Sequence, residues 1–275
     1  MTQATAGLGR GRAMRRLSWP MLIVLIVVFL LVPQVVSLFL FGVTALDEGY
    51  QSVRGGLAAE LVPDLGGAMI AAGVIVWLGW TREVLFEPRR TRAWVVTVPL
   101  ALIAASLVAV DWSRLASVGV RLVLTLAGAT LSTGLSEELL FRGITLKAMR
   151  DRYRELPAAL LGSVLFGATH LINAIVIGSG AVPQALLATG MGYLLYLTRR
   201  VSGGLALPIA VHALYDFSVF SSQVGPGPSD PLSDAGMALL LVELALVIVV
   251  AVWHRSIEAH PPSAAKDGGE ASHAA

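Results

Sequence analysis

The sequence predicts an all-α polytopic membrane protein, an eight-helix transmembrane bundle with both termini cytoplasmic. Three observations predict it. Apolar residues make up 56% of the 275 and charged residues only 14%, well under the quarter usual in soluble domains. The stretches Leu17 to Leu46 and Leu156 to Thr198 carry no charge, and each exceeds the ~20 residues that cross a bilayer as helix. Lys and Arg fall almost entirely on one side of the spans this pattern defines.

The first segment, 20–43, follows Arg10, Arg12, Arg15 and Arg16. Its apolar run is longer than the ~7–15 residues of a signal-peptide core, so it reads as a retained first span. Further spans are expected at 61–80, 94–110 and 115–150. The uncharged run from Leu156 is about twice one span. It must fold back, and Gly178-Ser179-Gly180 divides it into 157–177 and 182–199. The last two spans are 204–222 and 235–254. Residues 1–18 form a basic N-terminal tail and 255–275 an Ala-, Ser-, Gly- and Pro-rich C-terminal tail, both expected to be disordered. The bundle occupies 19–254, with its chemistry-bearing core at about 115–222.

An even number of spans returns both termini to one side. Arg10, Arg12, Arg15, Arg16, four arginines at 82–92, five basic residues at 142–154, Arg199, Arg200, Arg255 and Lys266 then share that side. These are 17 of the 20 Lys and Arg residues; Arg54, Arg114 and Arg121 lie opposite. The bias assigns the majority side to the cytoplasm and the chain to a multi-pass position in the cell membrane. Nothing in the composition points to nucleic acid. The absence of cysteine removes thiol nucleophiles and thiolate metal sites.

Within this apolar chain, Thr-Gly-Leu-Ser-Glu-Glu-Leu-Leu-Phe-Arg at 133–142 puts Glu137 and Glu138 inside the fourth span. Ionised carboxylates there need a partner or a polar cavity. Glu138 and Arg142 are an i,i+4 pair on one helix face. Glu137 lies ~100° away and is free to face other helices. His170 follows Phe166 by four residues, and Asp216 follows His212 by four. At ~1.5 Å per residue, Glu137, His170 and His212 sit roughly 15–20 Å from the basic side, a common depth. The plainer alternative is structural: Glu138 with Arg142 as a buried ion pair, His170 as a helix–helix hydrogen bond, and His212 with Asp216 satisfying each other. Glu243, midway along the eighth span, reads as a structural or cavity-facing contact.

Known intramembrane hydrolytic patterns narrow the chemistry. There is no His-Glu-x-x-His zinc motif. Gly178-Ser179-Gly180 lacks the spacing of a Gly-x-Ser-Gly serine site, and Tyr215-Asp216 has no Gly-x-Gly-Asp partner. What remains is Glu-Glu-x-x-x-Arg, then Phe-x-x-x-His, then His-x-x-x-Asp, on successive apolar helices.

That ordered triplet resembles the CPBP family of intramembrane proteases, which includes the Rce1-type CAAX prenyl proteases and bacterial Abi-like proteins. The likeness covers roughly 115–222. It implies an eight-helix fold and an endopeptidase that hydrolyses a peptide bond with a Glu/His-activated water, in a cavity facing the cytoplasm. On this resemblance Glu137 is the acid/base, His170 orients water, and His212 with the residue four later stabilises the oxyanion. Glu138 and Arg142 support them. The substrate expected is a membrane or membrane-associated protein or peptide. In the CAAX-type members the position of Asp216 resembles Asn. An ionised Asp there repels an oxyanion, so it is protonated, paired with His212, or a metal ligand. In the last case Glu137, His170, His212 and Asp216 make a mixed N/O site for a divalent cation such as Zn2+; in a glutamate-type mechanism there is no cofactor. The competing class is a transporter or proton relay using the same groups, and a third is a catalytically idle immunity or scaffold protein.

Overall fold

The computed structural model describes residues 15–226 and 234–258. The expectations for residues 1–14 and 259–275 of the tails lie outside the described residues. Fourteen α-helical segments occur among the described residues. Helix α1 (Trp19–Phe41) is followed by the short α2 (Val43–Glu48) and α3 (Val53–Gly56), and a wide π turn (Leu57–Leu61) leads into α4 (Val62–Leu78). Then come α5 (Thr81–Leu85), α6 (Thr97–Ala109), α7 (Trp112–Ser117) and α8 (Val120–Glu138). A second π turn, Leu139–Thr145, carries α8 into α9 (Leu146–Arg150). Helix α10 (Glu155–Thr169) tightens into a 3-10 turn at His170–Asn173 before α11 (Ala174–Ile177). Helices α12 (Ala181–Ser202), α13 (Ala206–Ser221) and α14 (Asp234–Val252) complete the fold.

The protein is all-helical, with only isolated bridges, Phe86 to Gly204 and Thr91 to Glu258, among the described residues. Four helical stretches are long and apolar enough to cross a membrane: Trp19–Phe41, Val53–Leu78, Glu155–Asn173 and Ala235–Val252. Ala93–Ala109 and Ala206–Ser221 are shorter apolar helices. Helices α8 and α12 are long but more polar, because they lie inside. Helix α8 packs between α4 and α13, and α12 between α10, α13 and α14. The polar side chains Thr125, Thr130, Ser132, Ser136 and Glu138 of α8 are buried in the protein. The outer helices instead turn Val24, Leu40, Met69, Leu241 and Val252 outward, as a lipid-facing surface requires.

Two boundaries differ from the sequence expectation. The second apolar helix begins at Val53 rather than near residue 61, which takes Glu60 into the segment. The fifth is not one straight span, because the backbone tightens at His170.

The inter-helix connections separate into two rims. At one, Arg15 N–H donates to the Leu78 carbonyl and Arg152 to the Leu17 carbonyl. Glu87 accepts from Arg150 at 2.7 Å and from Arg199 at 3.2 Å. Glu155 accepts from Arg150 at 2.5 Å and from the Tyr196 hydroxyl at 2.8 Å, and pairs with Arg89. Arg200 grips both oxygens of Glu258 at 2.7 and 2.8 Å, and its donated hydrogen bonds hold that carboxyl below the usual carboxylate range. At the other rim, Arg114 donates to the carbonyls of Val224, Gly225 and Pro226, and the Gly225 N–H to the Tyr50 carbonyl. The sequence put these connections into the same two sets.

The expected tails reach too far into the fold. Leu17 is buried and Ser18 caps α1 by accepting from the Met21 N–H. Ile257 is buried, its carbonyl accepts from the Arg92 N–H, and Glu258 holds Arg200. One apolar side chain and one bidentate pair suffice to anchor a segment that composition alone reads as tail.

Close helix contacts set the site's dimensions. A Cβ on Gly134 would stand 2.8 Å from the Ile209 carbonyl oxygen and 3.1 Å from the Ala213 nitrogen, so α8 touches the backbone of α13 there. Gly167 similarly presses α10 on the Ala185 carbonyl and Thr189 of α12. Small residues permit such approach between membrane helices. Gly134→Ala is expected to push α13 outward and destabilise the fold by ~1–3 kcal/mol. It should lower any activity that depends on His212, which neighbours Ala213. Thermal unfolding in detergent checks this; an unchanged midpoint would mean the helices do not press together at Gly134.

Candidate active site

The contact at Gly134 sets Glu137 and Glu138, little more than one turn further along α8, against His212 of α13. Glu138 is fully buried, with Oε1 2.8 Å from Arg142 Nη1 and 3.0 Å from His212 Nδ1. A carboxylate can only accept, so Nδ1 of His212 carries a proton and donates to Glu138. Nε2 of the same ring then points at two acids, 3.5 Å from Glu137 Oε2 and 3.5 Å from Asp216 Oδ2. Both acids are partly accessible, at 20% and 17% of their side-chain surfaces, against 5% for His212. They therefore stand at a wall and the ring lies behind them.

The second turn of the site is aromatic. The Phe166 ring lies under the Arg142 guanidinium, whose carbon is 4.2 Å from the ring centroid. The same ring meets His170 edge-on at 4.9 Å, His212 at 5.9 Å and Phe141 at 5.0 Å. Such contacts fix ring planes and hold a desolvated cation. His170 Nδ1 donates to the Phe166 carbonyl at 3.0 Å, which leaves Nε2 as the nitrogen turned away from that carbonyl. Arg142 sits in the π turn, where all seven residues are buried. Its carbonyl accepts from Arg199, which also donates to the carbonyls of Glu83 and Phe86. The wide turn is thus anchored to the arginine-rich rim; such turns recur at functional sites.

Glu137, Glu138, Arg142, His212 and Asp216 come together in one cluster. His170 is joined to it through Phe166, and no direct hydrogen bond links it to Glu137. Glu137, His170, His212 and Asp216 line one cavity of about 560 Å³, and Glu138 and Arg142 lie behind it. The same cavity is lined by Glu60, Asp64, Thr133, Tyr215 and Glu243. The Thr133 hydroxyl donates to Asp64, and the Tyr215 hydroxyl donates to Glu243 Oε2 at 2.6 Å. Sequence reasoning passed over Glu60 and Asp64, and weighed Tyr215 only within the pair Tyr215-Asp216. The signal was present: Glu60 and Asp64 are an i,i+4 acid pair on an apolar helix. The pair was missed because that helix, which begins at Val53, was started at 61, which leaves Glu60 outside it.

Among the described residues no group of three or more His, Asp or Glu side chains is arranged to hold a metal ion.

A buried carboxylate–histidine cluster thus lies on the wall of a cavity inside an apolar helical bundle. Residues 118–218 match the Rce1-like family, described as type II CAAX prenyl endopeptidase Rce1-like. Over these residues the chain is similar to that family. The match spans the whole of α8 through most of α13, the helices that carry Glu137, His170, His212 and Asp216. No curated protein and no solved structure matches the chain.

Proposed function

We propose that the protein is an intramembrane endopeptidase of the CAAX type, in which Glu137 and His170 activate the attacking water. The observation that carries this reading is the orientation of the two histidines. Each ring gives its Nδ1 proton to a fixed acceptor, Glu138 for His212 and the Phe166 carbonyl for His170. Each therefore turns Nε2 away from that acceptor. A water in the cavity can give one hydrogen bond to Glu137 and the other to His170 Nε2, leaving its lone pair for the scissile carbonyl. Glu137 takes the proton in the attack and returns it to the leaving amine, as general base and then general acid. The tetrahedral oxygen needs donors. His212 supplies Nε2–H when doubly protonated, a charge that Glu137 and Glu138 balance from within 3.5 Å. A protonated Asp216 supplies the second donor, in the position where the CAAX-type members resemble Asn.

In this mechanism no step runs through a metal ion, and Asp216→Asn separates the two alternatives. Asn keeps a neutral donor, so turnover should fall only modestly. Collapse of turnover together with loss of a stoichiometric metal, measured by elemental analysis of purified protein, would overturn the metal-free mechanism.

We also propose that the eight spans expected from the sequence cross the bilayer, with the arginine-rich rim cytoplasmic. Reporter fusions at the two ends check this. The expected access from the cytoplasm finds no support in the cavity lining. Gln34, Asn173, Gln184 and Phe220, at the ends of the lining, belong to the helix halves remote from the arginine-rich rim. The network of Glu87, Arg150, Glu155 and Arg199 lies across the arginine side. Substrate, on this proposal, reaches the site from within the bilayer or from the arginine-poor rim. The function itself is tested by comparing membrane-derived peptides from cells with native protein and cells with Glu137→Ala. Peptides that vanish only in the variant support it; identical profiles would overturn it.

A further inference from the structure

The cavity holds more acid than the proposed reaction uses. Glu60, Asp64, Glu137, Asp216 and Glu243 all line it, and among the described residues no lysine or arginine does. Arg142, the nearest guanidinium to the cluster, is taken up by Glu138 behind the wall. The two walls are built differently. Glu60 and Asp64 are one turn apart, Glu60 in the π turn at Leu57–Leu61 and Asp64 in the first turn of α4. The Thr133 hydroxyl ties Asp64 to the helix that carries Glu137. Across the cavity, Glu243 of α14 is 1% exposed, receives the Tyr215 hydroxyl on Oε2, and has no hydrogen-bond partner for Oε1 among the described residues. A buried acceptor without a donor costs ~1–3 kcal/mol. A surplus of carboxyls inside an apolar bundle is costlier still unless something neutralises it. His212, which lines the cavity, faces Glu137 and Asp216, and no lysine or arginine of the lining stands by Glu60, Asp64 or Glu243.

We propose that the cavity binds its substrate through a basic side chain, lysine or arginine, received by Glu60 with Asp64 or by Glu243. This rests on the protease reading for the identity of the ligand, but not for the binding itself. A peptide segment entering an apolar bundle with one cationic side chain would satisfy the free Glu243 oxygen or the Glu60 carboxyl. It would also leave the scissile carbonyl to the groups around His212. A neutral apolar segment would leave these acceptors unmet, which is the condition under which a site discriminates strongly.

Two measurements test it. In the first, purified Glu137→Gln protein in detergent is heated with n-hexylammonium chloride, with 1-hexanol, or with magnesium chloride. The ammonium should raise the unfolding midpoint and hexanol should not. In Glu60→Gln/Asp64→Asn or in Glu243→Gln on the same background the shift should shrink. Equal shifts with hexanol, or shifts unaltered in both acid variants, would overturn the proposal. A shift given by magnesium alone and abolished in the acid variants would replace it with an inorganic cation site. In the second, active protein in liposomes is offered pairs of membrane peptides that differ only by Lys or norleucine at successive positions around the cleaved bond. At one position kcat/KM should favour Lys by ~10–100-fold, the value of one charged hydrogen bond, and the ratio should fall toward one in an acid variant. A ratio near one at every position in the native protein would overturn the substrate assignment. A chain that binds the amine but cuts no peptide would overturn the protease reading and leave the cation site standing.

Discussion

Replacing Glu137 with Gln is expected to lower cleavage of a membrane peptide by ~10²–10⁴-fold, the usual contribution of a positioned general base, while the bundle stays folded. The two halves of this expectation have different physical sources. The folded state is spared because Glu137 is not held as Glu138 is. Its side chain keeps 20% of its surface, and its close charged neighbour is His212 Nε2 at 3.5 Å. Gln has the same shape and can still donate or accept at that place. Turnover falls because an amide cannot take a proton from water or return one to an amine. The measurement is the cleavage rate in proteoliposomes beside the unfolding midpoint of the same preparation. Native turnover in Glu137→Gln would move the base elsewhere and leave Glu137 as a cavity acid like Glu60. A large drop in the midpoint would show instead that Glu137 carries structure.

Much of this site could be read from spacing, because a helix turns residue separation into direction. The i,i+4 relations of Glu138 with Arg142, Phe166 with His170, and His212 with Asp216 each correspond to a contact in the structure. What spacing could not give is the partner across helices. Glu138 was paired on paper with Arg142 alone, yet its Oε1 also takes the His212 Nδ1–H. That bond decides which nitrogen of His212 is left for chemistry. Nor could it give the widened turn at Leu139–Thr145. A π turn has no composition of its own here, and it depends on Arg199, some 57 residues away, donating to the Arg142 carbonyl. The direction of the cavity was illegible for the same reason. Charge bias sorts loops between sides of a membrane, but the void between helices depends on where side chains fail to fill space. The loop sorting itself was legible, since the arginines at 82–92, 150–154 and 199–200 do gather on one rim.

Arg142→Ala is expected to destabilise the protein by ~3–5 kcal/mol, the usual result of removing one partner from a buried pair, and to abolish activity with it. Glu138 is fully buried. Its Oε2 already lacks a hydrogen-bond partner among the described residues, so without Arg142 the carboxylate keeps only the His212 Nδ1–H. The loss also removes the cation stacked on Phe166 and unfills the centre of the π turn. The size of the effect should depend on the stranded charge more than on lost packing, and a second variant separates these. Glu138→Gln/Arg142→Met removes both charges at similar volume, so it should recover most of the lost stability, as neutral replacements of buried pairs commonly do. It should not recover activity, because a neutral amide in place of the Glu138 carboxylate offers His212 no charged acceptor to hold Nδ1–H. Accumulation in the membrane and the midpoint in detergent read the first part, and peptide cleavage reads the second. If Arg142→Ala accumulates and melts as the native protein does, Arg142 reaches the headgroups and the pair with Glu138 does not exist in the membrane. If the double variant is active, the pair is structural only, and His212 keeps its orientation from Phe166.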